Sequence, residues 1–260
     1  MPTRAKGKRY PIEMSAVVWM DLLGYGSMLR EVNFDPSHKM SQAAVGRLRD
    51  FQRLASKHTS KHISAMIVND GVAYVRELTP RSHSVTYDFL KRTFSAFREI
   101  KRFDVGNGNP GLRAIAAVGP MLRIGKVIRP RIGHQESILK RFHNGRISTE
   151  QAVKEAFKSL PMTGSTPQLQ ANFAFTKAYL ADNSGSRAGF SGSNFFIDAN
   201  FFCDTPPSWI FSDITIDWEQ PGMRSTFFRL VDIDIEKANL CRQAGILNAI
   251  EIAEKMSIDY

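Results

Sequence analysis

Two aspartates in the first third of the chain are placed where their carboxylates can share a cation. Asp21 directly follows the apolar run 16–20, which is rich in Val and Trp and typical of a buried strand. Asp70 lies in an Asn-Asp-Gly turn between the apolar runs 62–68 and 72–78, which predicts a hairpin. If this strand and hairpin pair in one sheet, both carboxylates come to the same edge and repel each other unless a cation lies between them. Hard carboxylate oxygens suit Mg²⁺ or Mn²⁺, and the alternative is two structural aspartates, one at a strand end and one in a turn.

A phosphate-binding turn is predicted beside these carboxylates. Residues 22–26, Leu-Leu-Gly-Tyr-Gly, form a glycine-containing turn whose main-chain N–H groups can meet phosphate oxygens. Arg113 follows the glycine-rich loop 106–111 at the start of an apolar strand. A guanidinium at the same edge is suited to holding a polyphosphate, because its donors form a planar fork.

The elements that must position these residues are strands and helices in a mixed order. Hydrophobic patterning predicts strands at 16–20, 62–68, 72–78, 112–118, 194–202, 209–217 and 225–235, and helices at 41–57, 85–103, 134–160, 169–182 and 236–256. This order predicts an α+β fold with a mainly antiparallel sheet and flanking helices. There is no repeat and no composition break, so we expect one domain over residues 1–260, with a flexible basic stretch at 1–12 and a C-terminal helix within 236–260.

The charge of the chain is positive and unevenly distributed. Its 260 residues include 35 Lys and Arg against 25 Asp and Glu, a formal net charge of +10. Residues 91–142 hold twelve basic against three acidic side chains, a balance of +9, whereas 204–260 hold five basic against ten acidic, a balance of −5. These values exclude an acidic disordered protein and favour a polyanionic partner or substrate. The basic segment 91–141 is either a solvated face or a surface for the phosphates of a nucleotide or a nucleic acid.

Cysteine content and hydropathy bear on the compartment. Cys203 and Cys241 are the only two cysteines, which excludes a disulfide scaffold and a thiol cluster for a metal. The longest apolar stretches, such as 114–122, are about half of the roughly 20 residues that a bilayer requires. The basic N-terminal stretch lacks the apolar core of a secretory signal. We therefore expect a soluble cytoplasmic protein with no membrane partner.

Three motifs, in order over about residues 14–120, resemble the signatures of class III nucleotide cyclases. Asp21-Leu-Leu-Gly-Tyr resembles their Asp-Ile-Val-Gly-Phe signature. Asn69-Asp70-Gly-Val-Ala-Tyr resembles their second metal signature, a Gly-Asp turn followed by a strand. Leu112-Arg113-Ala-Ile-Ala-Ala-Val-Gly119 resembles their Arg-Val-Gly-Ile-x-x-Gly strand, whose arginine contacts the triphosphate in that family.

This resemblance implies a ferredoxin-like palm fold and a two-metal reaction on a nucleoside triphosphate. Asp21 and Asp70, with the main-chain carbonyl of Leu22, would bind two divalent cations, Mn²⁺ or Mg²⁺. The substrate-binding residues that it implies are Leu22, Leu23, Gly24, Tyr25 and Arg113. In the family the site is completed across a homodimer, where an Asn and an Arg on a late helix of the partner stabilise the pentavalent transition state.

The second half of the chain resembles the family less closely. Asn172, on the predicted helix 169–182, aligns with the family Asn, but the position four residues further on is Thr176 and a cation appears only at Lys177. The resemblance therefore assigns the transition-state contacts to Asn172 and Lys177. Three alternatives remain: the register of this alignment is shifted, the cation is Arg187 or Arg224, or the helix carries ordinary polar residues.

The residues that read adenine in adenylyl cyclases are absent. The family places a Lys four residues before the second metal Asp and an Asp seven before the catalytic Asn, and these positions are Met66 and Ser165 here. A site that lacks these hydrogen-bonding groups discriminates poorly for adenine. The chain resembles the pyrimidine cyclases of bacterial Pycsar anti-phage systems, which implies UTP, or else CTP, as substrate and a separate effector that responds to the cyclic nucleotide.

Two rival functions follow from the same sequence. One is a nucleic-acid-binding protein that uses the basic segment 91–141, with Asp21 and Asp70 merely structural. The other is a cyclase fold that binds a nucleotide without turning it over. We expect the cyclase function, for which a nucleic-acid partner is not required.

Overall fold

The computed structural model describes residues 10–123, 132–158, 169–258 and 260. Within these ranges the chain divides into two compact units. The smaller contains the described residues up to 11 and between 123 and 171, and the larger contains 12–122 and those from 172 onward. The single domain expected from the sequence stays a prediction.

One sheet of seven strands forms the centre of the larger unit. The strands are β1 (Ile12–Leu22), β2 (Ser64–Val68), β3 (Gly71–Glu77), β4 (Leu112–Leu122), β5 (Phe195–Asp198), β6 (Ile210–Gln220) and β7 (Met223–Ile233). They lie in the order β2-β3-β1-β4-β5-β7-β6, and every neighbouring pair is antiparallel except β4 and β5. The predicted α+β fold with a mainly antiparallel sheet is confirmed.

Eight α-helices occur in the described parts of the chain. They are α1 (Tyr25–Arg30), α2 (Lys39–Ser56), α3 (His83–Gly106), α4 (Ile132–His143), α5 (Thr149–Lys158), α6 (Phe173–Ser184), α7 (Ile235–Leu240) and α8 (Ala249–Lys255). Helices α4 and α5 belong to the smaller unit, where Arg141 and Glu155 form an ion pair between them. None of the helices in the described ranges is long and apolar enough to cross a bilayer.

The first four strands have the ferredoxin-like connection. Helix α2 follows β1, α3 follows β3, and β2 and β3 form a hairpin whose turn contains Asn69 with a φ of +54°. A β-α-β-β-α-β chain with the strand order β2-β3-β1-β4 is the split βαβ arrangement. The scaffold predicted for the first half is therefore present.

Different helices bury the two faces of this sheet, because side chains alternate along each strand. The even-numbered residues from Met14 to Leu22 join the main hydrophobic core with α2 and α3. Trp19 points to the other face, where α6 lies across β1 and β4 and its Phe175 and Tyr179 contact the Trp19 ring edge-on. Asp21, two residues along from Trp19, therefore shares the face that α6 covers.

Three predicted elements are interrupted in the structure. The helix expected at 236–256 is divided into α7 and α8, because Arg242 and Gln243 adopt positive φ angles of +49° and +56° that no α-helix accommodates. The helix expected at 134–160 is divided into α4 and α5 around Gly145, with φ +67°. The strand expected at 194–202 ends at Asp198, whose side chain caps a short 3₁₀ turn that follows.

Candidate active site

Asp21 and Asp70 lie at one edge of the sheet. Asp21 on β1 faces Gly71 on β3 in the antiparallel register, so Asp70 comes directly before its cross-strand neighbour. The N–H of Leu22 donates to the main-chain oxygen of Asp70 over 3.2 Å, which holds the hairpin turn against the end of β1. The structure thus brings the two predicted metal ligands together.

A third carboxylate, Asp182, reaches this edge from α6. Its Oδ2 accepts a hydrogen bond from Trp19 Nε1 over 3.2 Å, and its Oδ1 accepts one from Arg113 Nε over 2.5 Å. The Trp19 ring lies against Gly71, where a Cβ would come within 2.1 Å of it. Asp182 is not among the residues predicted from the sequence. The sequence signal that could have identified it is a carboxylate on the alanine-rich, and therefore buried, side of a predicted helix. A buried carboxylate requires a hydrogen-bonding or charged partner.

Burial and neighbouring negative charge raise the pKa of Asp21 to about 8. Burial is the largest cause, the charges of Asp182 and Asp70 add to it, and Arg113 opposes it. Among the described residues no hydrogen-bond donor reaches the Asp21 carboxylate. A carboxyl group in these surroundings either keeps its proton near neutral pH or is neutralised by a bound cation.

The donor set at this edge fits a hard divalent cation in an open site. Asp21 and Asp70 offer carboxylate oxygens, whereas Asp182 is engaged by Arg113 and Trp19. In the part of the chain that the structure describes, no group of three or more His, Cys, Asp or Glu side chains is arranged to hold a metal. Mg²⁺ commonly binds through only one or two carboxylates and completes its shell with water and substrate phosphate oxygens.

Arg113 is held in one orientation by three hydrogen bonds. It faces Asp21 in the register of β1 and β4. Besides the Nε contact, Nη2 donates to the main-chain oxygen of Asp182 and Nη1 to that of Phe190, both over 2.8 Å. A guanidinium has five N–H groups, so one on each terminal nitrogen remains for a phosphate.

The turn after Asp21 contains both bound and free amides. The N–H groups of Leu22 and Leu23 donate to main-chain oxygens of the β2–β3 turn and of the loop before β4, over 3.2 and 3.0 Å. Gly24 has a φ of +75° and begins α1. The amides of residues 24–26 have no acceptor among the described residues. Only this second part of the predicted turn is available to an anion.

Asn172 lies far along β1 from Asp21. Its buried side chain caps α6 by accepting from the N–H of Phe175 over 3.0 Å, and it also accepts from Ser15 Oγ over 3.1 Å. Ser15 and Asp21 are six positions apart on β1, which corresponds to about 20 Å at roughly 3.3 Å per residue. The structure therefore does not bring Asn172 to the carboxylates of its own chain.

Lys177 is buried in an ion pair. Its Nζ donates to Asp198 Oδ2 over 2.7 Å and to the main-chain oxygen of Val118 over 3.1 Å. The two side chains are 5% and 0% exposed, and Asp198 also accepts from Ser225 Oγ over 2.8 Å. These contacts hold α6 on β4 and β5 and leave the lysine side chain almost fully buried. The transition-state role of Asn172 and Lys177 stays a prediction.

The two alternative cations differ in their surroundings. Arg187 is exposed in the 3₁₀ turn directly after α6, close in the chain to Asp182, and has no partner among the residues that the structure describes. Arg224 pairs with Glu219 over 3.1 Å on the exposed β6–β7 hairpin. Arg187 is the cation on the same end of α6 as the candidate site.

Helix α6 also carries an exposed apolar face. Phe173, Tyr179 and Leu180 are 47%, 41% and 36% exposed, although the opposite side of the same helix is buried on the sheet. These side chains make the outer face of α6 a candidate contact for another protein chain.

No protein-family model and no curated protein matches the chain. Solved structures with a similar fold include the adenylyl cyclase CyaB from P. aeruginosa, which is 11% identical, with 86% of this chain and 97% of that chain covered and a TM-score of 0.48. The guanylate cyclase domain of RhGC from Catenaria anguillulae in complex with GTP is 10% identical, with 87% and 100% covered and a TM-score of 0.45. The dimeric guanylyl cyclase domain of RhoGC from Blastocladiella emersonii is 10% identical, with 86% and 98% covered and a TM-score of 0.42. The α+β fold of this chain follows from its own strand order and register.

Proposed function

We propose that the chain is a metal-dependent nucleotidyl cyclase, which converts a nucleoside triphosphate into the 3′,5′-cyclic monophosphate and pyrophosphate. The observation that carries the proposal is the pairing of Asp21 and Asp70 at one edge, beside the fixed guanidinium of Arg113. The reaction type is inferred from the resemblance of the three motifs to class III cyclases. The position of Asp21, Asp70 and Arg113 at one sheet edge explains how these residues would act together.

Asp21 and Asp70, with the main-chain carbonyl of Leu22, would hold two divalent cations, Mn²⁺ or Mg²⁺. When bound, these ions lower the pKa of the ribose 3′-hydroxyl and neutralise charge on the α-phosphate. The raised pKa of Asp21 supports this assignment, because a bound cation would offset the burial, and the negative charges of Asp182 and Asp70, that raise it.

The chain's own residues would orient the triphosphate. Arg113 has two N–H groups left for phosphate oxygens, and Asp182 fixes the direction in which they point. The free amides of residues 24–26 would bind an anion without losing another hydrogen bond. Leu22 and Leu23 would shape this turn through their own main-chain bonds rather than donate to the substrate.

A homodimer would complete the site. The exposed face of α6 supports an interface there. The resemblance assigns the transition-state contacts to Asn172 and Lys177, whose side chains also hold the helix that carries Asp182. Arg187, which is exposed and directly follows α6, is the alternative cation for this role.

The substrate would be a pyrimidine triphosphate, UTP in preference to CTP. Met66 on β2 pairs with Ala73 and stands where the adenine-reading Lys of the family would be, and a thioether cannot donate a hydrogen bond. Ser165 lies outside the described residues. Synthesis of a second messenger for anti-phage defence, with a separate effector, is proposed on the resemblance of the sequence alone.

A product assay tests the proposal. Purified protein is incubated with ATP, GTP, CTP and UTP in turn, with Mn²⁺ and then Mg²⁺, and the nucleotides are separated by chromatography. We expect one cyclic pyrimidine monophosphate together with pyrophosphate. Asp70→Asn should abolish the product, whereas Asp50→Asn, the same change at an exposed ion pair with Arg53, should leave it unchanged.

The rival functions give different results in this assay. A cyclase fold without activity would bind the triphosphate with metal and release no pyrophosphate. A nucleic-acid-binding protein would be insensitive to Asp70→Asn and would lose RNA or DNA affinity steeply as salt increases. A purine product would overturn the choice of base but not the reaction.

A further inference from the structure

A groove runs between α3 and the paired strands β6 and β7. Its volume is about 800 Å³, within the range of small-molecule sites. Phe94, Phe97 and Phe195 form an aromatic floor. Val105 and Val231 line it as well and are 49% and 54% exposed. None of the residues proposed above for catalysis lines this groove.

The lining of the groove carries a surplus of two positive charges. Its charged residues are Arg98, Lys101, Arg102, Arg229, Asp213 and Asp232. Each carboxylate is bound by one arginine. Lys101 and Arg102 have no carboxylate partner in the described part of the chain.

Lys101 is the most unusual of these cations. It is partly buried, and its Nζ donates to the main-chain oxygen of Ser193 over 2.5 Å and lies 5.5 Å from the centroid of the Phe97 ring. Burial, and to a lesser degree the charge of Arg229, lower the pKa of Lys101. Two of its N–H groups remain for a ligand. An ammonium held among another cation and aromatic rings is stabilised by an anion that enters the groove.

We propose that this groove binds a phosphate monoester with an apolar or aromatic body, its phosphate against Lys101 and Arg102 and its body against Val105 and Val231. A phosphate monoester carries a charge of about −1.5 to −2 at pH 7, which matches the surplus of the lining. The side chains at positions 98, 101, 102 and 105 share one face of α3, so the cations and the apolar surface meet the same molecule. The proposal does not depend on the proposed reaction.

The test uses the full chain and the N-methylanthraniloyl derivative of AMP as a fluorescent probe, with binding followed by anisotropy in EDTA so that metal-dependent binding elsewhere is suppressed. Lys101→Gln should weaken binding about tenfold or more. Arg102→Gln, at an exposed position where folding is not at risk, should weaken it as well. Lys61→Gln removes an exposed lysine outside the groove and should leave the affinity unchanged.

A variant with the opposite effect makes the test sharper. Asp232→Asn frees Arg98 from its 2.9 Å ion pair and should strengthen binding, while the Asn oxygen can still accept a hydrogen bond from the N–H of Ile233.

In a competition experiment, AMP should displace the probe better than either inorganic phosphate or adenosine. The proposal is overturned if the probe does not bind saturably or if Lys101→Gln and Lys61→Gln have equal effects. It is also overturned if inorganic phosphate or a short single-stranded RNA competes better than AMP.

Discussion

Arg47 on α2 binds the carboxylate of Asp104 on α3 through two hydrogen bonds of 2.8 Å, from Nε and Nη2. The same guanidinium donates to the main-chain oxygens of Leu23 and Gly111 over 2.9 and 3.1 Å. Asp104 also accepts from the N–H of Gly111 over 3.0 Å. This buried pair therefore joins two helices to the turn after β1 and the loop before β4. It fixes the shape of the candidate site without lining it.

We expect Arg47→Leu to lower the free energy of unfolding by about 3–5 kcal/mol, because it leaves the Asp104 carboxylate buried without a counter-charge. Urea unfolding followed by circular dichroism measures the loss. Arg53→Leu, which removes an exposed arginine from the same helix, should cost less than about 0.5 kcal/mol. Equally small losses in both variants would show that the Arg47–Asp104 pair contributes little.

The metal-free protein should become less stable as pH rises from about 4 to about 8. The pKa of Asp21 is about 8 in the folded chain, against an ordinary value of 3.8. Between these two pKa values the folded chain holds a proton that the unfolded chain has lost. The free energy of unfolding therefore falls as pH rises. The stability that Asp21 contributes in its protonated form is fully present below pH 3.8, and it is lost as pH rises through about 8.

The matching variant is Asp21→Asn, which carries no titrating group at this position. Urea unfolding in EDTA across that pH range should show a flatter dependence for the variant than for the parent chain. An unchanged slope would mean that Asp21 is not responsible for it. Addition of Mn²⁺ at pH 8 should raise the Tm of the parent chain and not that of the variant, since a ligand that binds only the folded state stabilises it.

Arg113→Lys should lower kcat/KM for the substrate about tenfold or more, a loss of roughly 1.4 kcal/mol in transition-state stabilisation. A lysine has three N–H groups and no planar fork, so it cannot bind Asp182 and Phe190 in this way and still offer two donors to a phosphate. Initial rates of pyrophosphate release measure the effect. Arg92→Lys, at an exposed i,i+4 pair with Asp88, is the control and should have no effect.

The exposed face of α6 should hold two subunits together. Leu180→Glu is expected to convert a dimer into monomers and to abolish turnover, because it places a charge in an apolar contact. Size-exclusion chromatography with light scattering gives the mass directly. Leu240→Glu introduces the same charge at a leucine that is 84% exposed on α7, and it should change neither mass nor activity. A monomeric parent chain with full activity would refute the proposed interface.

The hairpin that carries Asp70 could be predicted from the local sequence, because an Asn-Asp-Gly turn specifies its own geometry. The position of Asp182 at the site and the contact between Arg47 and Asp104 could not be predicted in this way. Arg47 and Asp104 are 57 residues apart, and their contact depends on how α2 and α3 pack. The same limit applies to the end of the chain, where one helix was predicted over 236–256 but the main chain turns at residues 242–245.

The late position of α6 in the sequence determines when the candidate site can assemble during synthesis. A nascent chain that has emerged as far as residue 122 contains every strand of the ferredoxin-like half, yet it lacks the helix that covers Trp19. Arg113 then has neither Asp182 nor Phe190 to orient it. Partial translation products should therefore expose an apolar sheet face that chaperones recognise, and they should bind triphosphate poorly. In the proposed cyclase, Arg113 would therefore be oriented only after residue 190 has emerged from the ribosome, and shorter chains would not make the cyclic product.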